Sequence, residues 1–295
     1  MKWASDYSRA YALAAAVERR GVGLHSGQEC LVRLEPGSKQ GFWVAFLDQP
    51  EREPMLLAPE QVRDTRLCTA LDLAGRPLAT VEHLLAALAG VGLTQAEIWV
   101  DGHEIPLLDG SALPWVEAIA EAGLVDLGPR APLPALAAPI SCQRGESFVQ
   151  ALPSERLLLS AAIEFPQPAI GRQLFSLALS PETFVREIAP ARTFGFKDQV
   201  EQLRQAGLIQ GGALDNALVC DGDHWLNPPL RFDDEPVRHK LLDLIGDLAL
   251  VGLPLAQVMA FRASHNLHTQ LAAALAASSA PLTAVTPRGD FPSVA

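Results

Sequence analysis

Gly128-Pro129-Arg130-Ala131-Pro132-Leu133-Pro134-Ala135-Leu136-Ala137-Ala138-Pro139 is the stretch on which the reading of the fold turns. Proline lacks a backbone donor and fixes φ, so four prolines in so short a span exclude a helix or a central strand. The stretch reads as a linker over 129–139, between an N-terminal domain, 1–128, and a C-terminal domain, 140–295. Two units agree with 295 residues at roughly 100–200 per domain. In the first half, 29–34, 42–47 and 96–100 carry strand patterns. Residues 80–89 read as a short helix with Thr80 as its cap and Gly90 just past its end, and 111–122 as a second, closed by Gly123. In the second half, strands are expected at 148–152, 157–164 and 173–179, with short helices starting near 181 and 200. The longest helix is placed over 236–252, with Asp234 as cap and Pro236 in its first turn, and 262–277 turns helical in its later part. No regular βαβ alternation and no strong internal repeat emerge. The expectation is α+β, with helices gathered on one side of largely antiparallel sheets. Residues 278–295, rich in Pro, Ser and Thr, are expected to fray.

Composition narrows the function. Hydrophobic residues make up 49 % and charged residues 19 %, enough for a sizeable core and too apolar for disorder. With 23 Lys+Arg against 34 Asp+Glu the net charge is −11, so binding to a phosphate backbone gains nothing and nucleic acid is excluded as a partner. Cys30, Cys68, Cys142 and Cys220 are far apart and read as reduced. No apolar signal segment opens the chain, and the longest uncharged run, 263–287, is too polar to span a bilayer. A soluble cytoplasmic protein is expected, acting as a monomer.

Chemistry concentrates in Arg238-His239-Lys240-Leu241-Leu242-Asp243-Leu244-Ile245-Gly246-Asp247. On a helix His239, Asp243, Gly246 and Asp247 share a face, so an imidazole and a carboxylate can reach one metal ion, with Gly246 leaving space beside them. Taken alone, H-x-x-x-D is more often a polar face in water. Thr80-Val81-Glu82-His83-Leu84-Leu85-Ala86-Ala87-Leu88-Ala89-Gly90 adds weight, because a helix apolar almost all round should be buried. A buried carboxylate needs a partner, and a metal on His83 with Glu82 beside it supplies one; the competing reading places both on an exposed rim. His83, His239 and Asp243 together make three ligands, which leaves a fourth position open, the arrangement of a catalytic zinc. Glu82 is then a candidate general base, and the reaction class is amide or ester hydrolysis. His265 is a candidate acid, held charged by Asp247. The turn Gly21 to Gly27 only superficially resembles a phosphate loop, residues 104–111 are assigned no chemistry, and Ala191-Arg192-Thr193-Phe194-Gly195-Phe196 reads equally as a packed turn or a substrate wall.

GVGLHSG (21–27), RDTRLCT (63–69), TVEHLLAALAG (80–90), EIPLLDGSA (104–112), ARTFGF (191–196), GLIQGG (207–212), LRFDDEPVRHKLLDLIGDL (230–248) and ASHNLH (263–268) together resemble the UDP-3-O-acyl-N-acetylglucosamine deacetylases, zinc amidases of lipid A biosynthesis. The resemblance runs over about residues 20–275. It implies two similar β-α-α-β domains, each a sheet on a helix pair, with the site between them. It implies Zn²⁺ on His83, His239 and Asp243, Glu82 as general base, His265 as catalytic histidine and Asp247 as its hydrogen-bonding partner. Thr193 matches a residue that stabilises the oxyanion, Phe194 and Lys240 match substrate-contacting positions, and His25 matches a histidine near the substrate. Residues 203–219 would belong to an insert lining a passage for the acyl chain, with Leu208 and Leu214 in that role. Thr94-Gln95, Ala213, Asn216 and His268 depart from the common pattern. The implied substrate is a UDP-linked, 3-O-acylated glucosamine whose N-acetyl group is released as acetate. A zinc amidase acting on another acylated amino sugar, or a non-catalytic protein with a structural metal, are the alternatives.

Overall fold

In the strand Glu29–Pro36, Cys30, Val32 and Leu34 are buried while the residues between them reach solvent, the period of two that a half-buried strand requires. The computed structural model describes residues 3–279, so the expectation for 278–295 lies almost wholly outside the described residues. In the first half, one sheet runs Val17–Val22, Glu29–Pro36, Gln95–Val100, Gly41–Phe46, Met55–Leu56 from edge to edge. Only the pairing of Gln95–Val100 with Gly41–Phe46 is parallel. In the second half the order is Ile140–Arg144, Ser147–Pro153, Ala256–Phe261, Leu158–Glu164, Arg172–Ala178, and again only the pair at the matching position, Ala256–Phe261 with Leu158–Glu164, is parallel.

The two halves therefore repeat one topology. In each, the last strand of the sheet enters its centre, preceded by one helix and followed by another: Glu82–Gly90 and Leu113–Ala122, then Glu235–Leu248 and His265–Ser279. The helices flank this central strand rather than following one another. Each half also carries a small three-stranded insert before the first helix of this pair, Val62–Asp64 to Arg76–Leu78 in one and Phe194–Phe196 to His224–Trp225, with the helix Lys197–Gln205 inside it, in the other. No repeat shows in the residues because the halves share an order of connections and a pattern of burial, which many side chains satisfy.

A single apolar core runs through both halves and includes Leu84, Leu85 and Leu88 together with Leu241, Leu242 and Ile245. Every residue of Glu82–Gly90 is buried, as its all-round apolar sequence demands. This helix crosses Glu235–Leu248 at Gly246, where a side chain would overlap the Glu82 carbonyl. Gly246 thus lets two backbones touch; the space it leaves is filled by the crossing helix.

Several local expectations change. Thr80 does not cap: it has φ +57°, its hydroxyl donates to Glu104 at 2.9 Å, and the helix starts at Glu82. Gly90 is the last helical residue, and its missing side chain makes room for the Phe184 ring. Asp234 makes no side-chain cap and instead accepts from Arg238 at 2.6 Å. The proline-rich seam begins as a strand, Leu124–Pro129, antiparallel to Arg9–Leu13. Proline is tolerated there because the ribbon has only two strands and an open edge. Gln95 opens its strand, and its side chain donates to the Gly37 carbonyl, so this departure is structural. Asn216 closes the 211–216 loop through Gly211 and Ala213.

Candidate metal centre and active site

Where the two helices cross, Glu82, His83, His239 and Asp243 are buried, at 2 %, 5 %, 1 % and 2 % exposure. An exposed rim for Glu82 and His83 is thereby excluded. One ligand atom each of His83, His239 and Asp243 lies within 4.8 Å of the others. His239 Nε2 is 3.3 Å and His83 Nε2 3.7 Å from Asp243 Oδ1, with the imidazoles edge to face. That oxygen accepts no hydrogen bond from the described residues, which a buried carboxylate tolerates poorly. Two ligands of one tetrahedral ion, each about 2.0–2.1 Å from it, stand about 3.3 Å apart, so the donor set fits a divalent cation.

The surroundings prepare these donors. His239 Nδ1 is 3.0 Å from the Ala191 carbonyl, which assigns its proton there and leaves Nε2 free to ligate. Burial lowers the His239 pKa to about 3, so its contact with Asp243 is that of a neutral imidazole, the form that binds metals. Burial opposes the charge on Asp243, yet Lys240, with His265, holds it well below the usual carboxylate range. Lys240 Nζ donates to Asp243 Oδ2 at 2.9 Å and lies over the Phe194 ring.

Beside the triad a buried imidazole and a buried carboxyl face each other. His265 Nε2 stands 3.8 Å from Glu82 Oε1 and 3.9 Å from Asp243 Oδ2. Burial, with Asp247 and Asp243 adding to it, raises the Glu82 pKa against the pull of His265 and His83. Burial works against a charged His265, but Asp247, Asp243 and Glu82 outweigh it and push its pKa up to about 9. One carboxylate is thus made more basic and one imidazole is kept protonated, the division an acid–base couple needs.

Thr193 and Phe194 reach this centre because Arg192 is anchored. Its backbone amide and guanidinium donate to the fully buried Glu235, and Thr193 N donates to the Gly110 carbonyl. The Thr193–Phe194 segment walls a cavity of about 200 Å³ together with Glu82, His83, His239, Lys240, Asp243 and His265. The cavity adjoins an apolar groove of about 430 Å³, with Leu24, Leu67, Thr193 and Phe194 common to both. Leu214 and Ile209 line the groove, whereas Leu208 and His25 line neither space. His25 faces the insert, its Nδ1 3.5 Å from the Ile209 amide.

Four participants carry no assigned role in the sequence reading. Thr69 donates its amide to Glu82 Oε2 at 3.1 Å and its hydroxyl to Asp247 Oδ1 at 2.5 Å. Glu104, buried, accepts from the His25 and Ser26 amides and from Thr80, so it shapes the turn that places Leu24. Glu235 anchors the Arg192 loop, and His268 joins His265 on Asp247.

A cradle of two imidazoles and a carboxylate, with a buried carboxyl–imidazole pair at its side and an apolar groove leading off, defines a class: the metal-dependent hydrolases built across two duplicated halves. Within that class, the chain belongs to the UDP-3-O-acyl N-acetylglycosamine deacetylase (LpxC) family, whose sequence profile matches residues 10–277. It is 51 % identical over 267 residues to the UDP-3-O-acyl-N-acetylglucosamine deacetylase of Thermosynechococcus vestitus, covering 90 % of this chain and 93 % of that one. Identity to the Nostoc sp. enzyme of the same name is 48 % over 269 residues, 89 % of this chain and 96 % of the relative. A protein of Arabidopsis thaliana named probable UDP-3-O-acyl-N-acetylglucosamine deacetylase 1, mitochondrial, is 40 % identical over 284 residues, with 88 % and 86 % covered.

Proposed function

We propose that this chain hydrolyses the N-acetyl group of UDP-3-O-acyl-N-acetylglucosamine, releasing acetate, as a zinc-dependent step of lipid A biosynthesis. The observation that carries the reading is the bare Asp243 Oδ1, buried between two imidazole Nε2 atoms. His83, His239 and Asp243 would hold the ion, and a set of two imidazoles and one carboxylate suits Zn²⁺. When bound, such a cation supplies Lewis acidity, lowering the pKa of a water to about 7 and polarising a carbonyl.

The chain's own residues carry the proton traffic. Glu82 takes the proton of the water that adds to the acetamide carbon. Thr193 and protonated His265 face the carbonyl oxygen as it gains charge, and stabilising that charge more than the ground state lowers the barrier. His265 then gives its proton to the departing amine while Asp247 compensates its charge. Phe194 and Lys240 contact the sugar, and Leu214 and the groove take the 3-O-acyl chain. His25 would act on the substrate through the insert it supports.

The enzyme is placed in the cytoplasm and acts as a monomer in this reading. Among the described residues no helix is long and apolar enough to cross a membrane, and all four cysteines are free. The deciding experiment is acetate release from UDP-3-O-acyl-N-acetylglucosamine by purified protein, before chelation, after it, and with zinc returned. Loss and recovery are expected; turnover that survives complete metal removal would overturn the proposal.

A further inference from the structure

Asp247 is fully buried and serves three donors at once. Its Oδ2 lies 2.9 Å from His265 Nδ1 and 3.0 Å from His268 Nδ1, while Oδ1 accepts the Thr69 hydroxyl at 2.5 Å. An ionised carboxylate only accepts, so both imidazoles carry their proton on Nδ1. For His265 this orients Nε2 toward Glu82 and the cavity. His268 follows His265 by nearly one helical turn, and its ring stands edge to face with that of His265. His268 is 1 % exposed and lines neither the cavity nor the groove, so it cannot touch substrate there.

We propose that His268 is a positioning residue: with Thr69 it grips the Asp247 carboxylate from two sides, stopping its rotation and so holding His265 Nε2 on the reacting atoms. Without His268, Oδ2 would be held by His265 alone and could swing about the Oδ1 that Thr69 fixes, carrying the imidazole with it. A second donor on Oδ2, from a direction other than that of His265, removes that freedom while Thr69 fixes Oδ1, and the resulting alignment enters the rate. A metal ion on Asp247, His265 and His268 is the competing arrangement. Both nitrogens, however, stand at hydrogen-bond distance from one oxygen, closer than the roughly 3.3 Å between two ligands of one tetrahedral zinc. The proposal rests on the reading of His265 as proton donor.

The test compares His268→Leu, which removes the donor, with His268→Asn, whose amide nitrogen occupies the place of Nδ1. Kinetics on the N-acetylated substrate are read beside the downfield imidazole N–H resonances of the metal-loaded protein. In wild type, His265 and His268 should each give a slowly exchanging Nδ1 proton; finding none overturns the proposal without any variant. His268→Leu should lower kcat about tenfold to a hundredfold with KM unchanged, and broaden the His265 resonance. His268→Asn should recover most of both. A leucine variant with wild-type kcat and an intact His265 resonance would refute the clamp, as would an asparagine variant that melts normally yet is as slow as leucine. Metal content rising by one equivalent, lost only in these variants, would replace it with the second ion. His265→Ala separates the two readings: if kcat is unmoved, the proton-donor role fails, while the wild-type resonances still report on the clamp.

Discussion

Gly246 packs its bare Cα directly against the carbonyl oxygen of Glu82, so the residue that closes the helix crossing touches the backbone of the proposed general base. The crossing also sets the spacing of the ligands, since His83 comes from one helix and His239 and Asp243 from the other. Gly246→Ala should push the helices apart, because the obstructing atom is backbone and cannot swing away. Overpacking of this kind costs roughly 1–3 kcal/mol, and misplacing ligands costs affinity as well. Thermal melts and metal titration should both show a loss; a variant as stable and as fully metallated as wild type would contradict the crossing as described.

Glu82→Gln keeps the shape and removes the base. No Glu82 oxygen belongs to the converging ligand set, so bound metal should stay near one equivalent. kcat should fall by about 10²–10⁴. Metal analysis and acetate release on the same sample check both halves of the statement, and equal turnover in variant and wild type removes Glu82 from the proton transfer.

How far this centre was legible in the sequence follows from how local its signals are. His239, Asp243 and Asp247 lie on one helical face within nine residues, and Glu82–His83 interrupts an apolar run, so both groups could be read directly. That they meet required the resemblance, because no periodicity reports contact between helices. Thr69 stayed silent since its partners are 13 and 178 residues away. The strands Arg9–Leu13 and Val17–Val22 were also missed. VERRGV is a partly exposed edge strand whose charged residues hide the alternation, and Arg9–Leu13 exists only because the seam pairs with it. The duplicated topology reached the sequence reading only through the resemblance, since it is a property of connections, not of residues.

The pH profile of kcat/KM should be bell-shaped. Glu82 must be ionised to accept a proton, and burial raises its pKa, so the acid limb should lie above the ordinary carboxylate range. His265 must be protonated, so the basic limb reports its loss of charge, near or below about 9. Asp247 is what raises that value most, so Asp247→Asn should move the basic limb to lower pH and the acid limb by less in the same direction, since Asp247 also adds to the rise at Glu82. A basic limb that does not respond belongs to some other group, and His265 would lose the role of acid.

Glu235 offers a prediction about a residue that touches no reacting atom. Its carboxylate, fully buried, accepts from the Arg192 amide and guanidinium and from the Arg231 amide at 2.6 Å. Glu235→Gln leaves the Arg192 cation buried without its anion, and breaking such a pair costs about 3–5 kcal/mol; Arg192 keeps some exposure, 14 %, so the lower end applies. The loop it anchors carries Thr193, so folded variant should also lose oxyanion stabilisation, seen as lower kcat with metal content unchanged. The double variant Glu235→Gln, Arg192→Met removes the stranded charge and should recover part of the stability but not the activity. Recovery of both together would mean that the ion pair holds only the fold, and that Thr193 reaches the cavity without it.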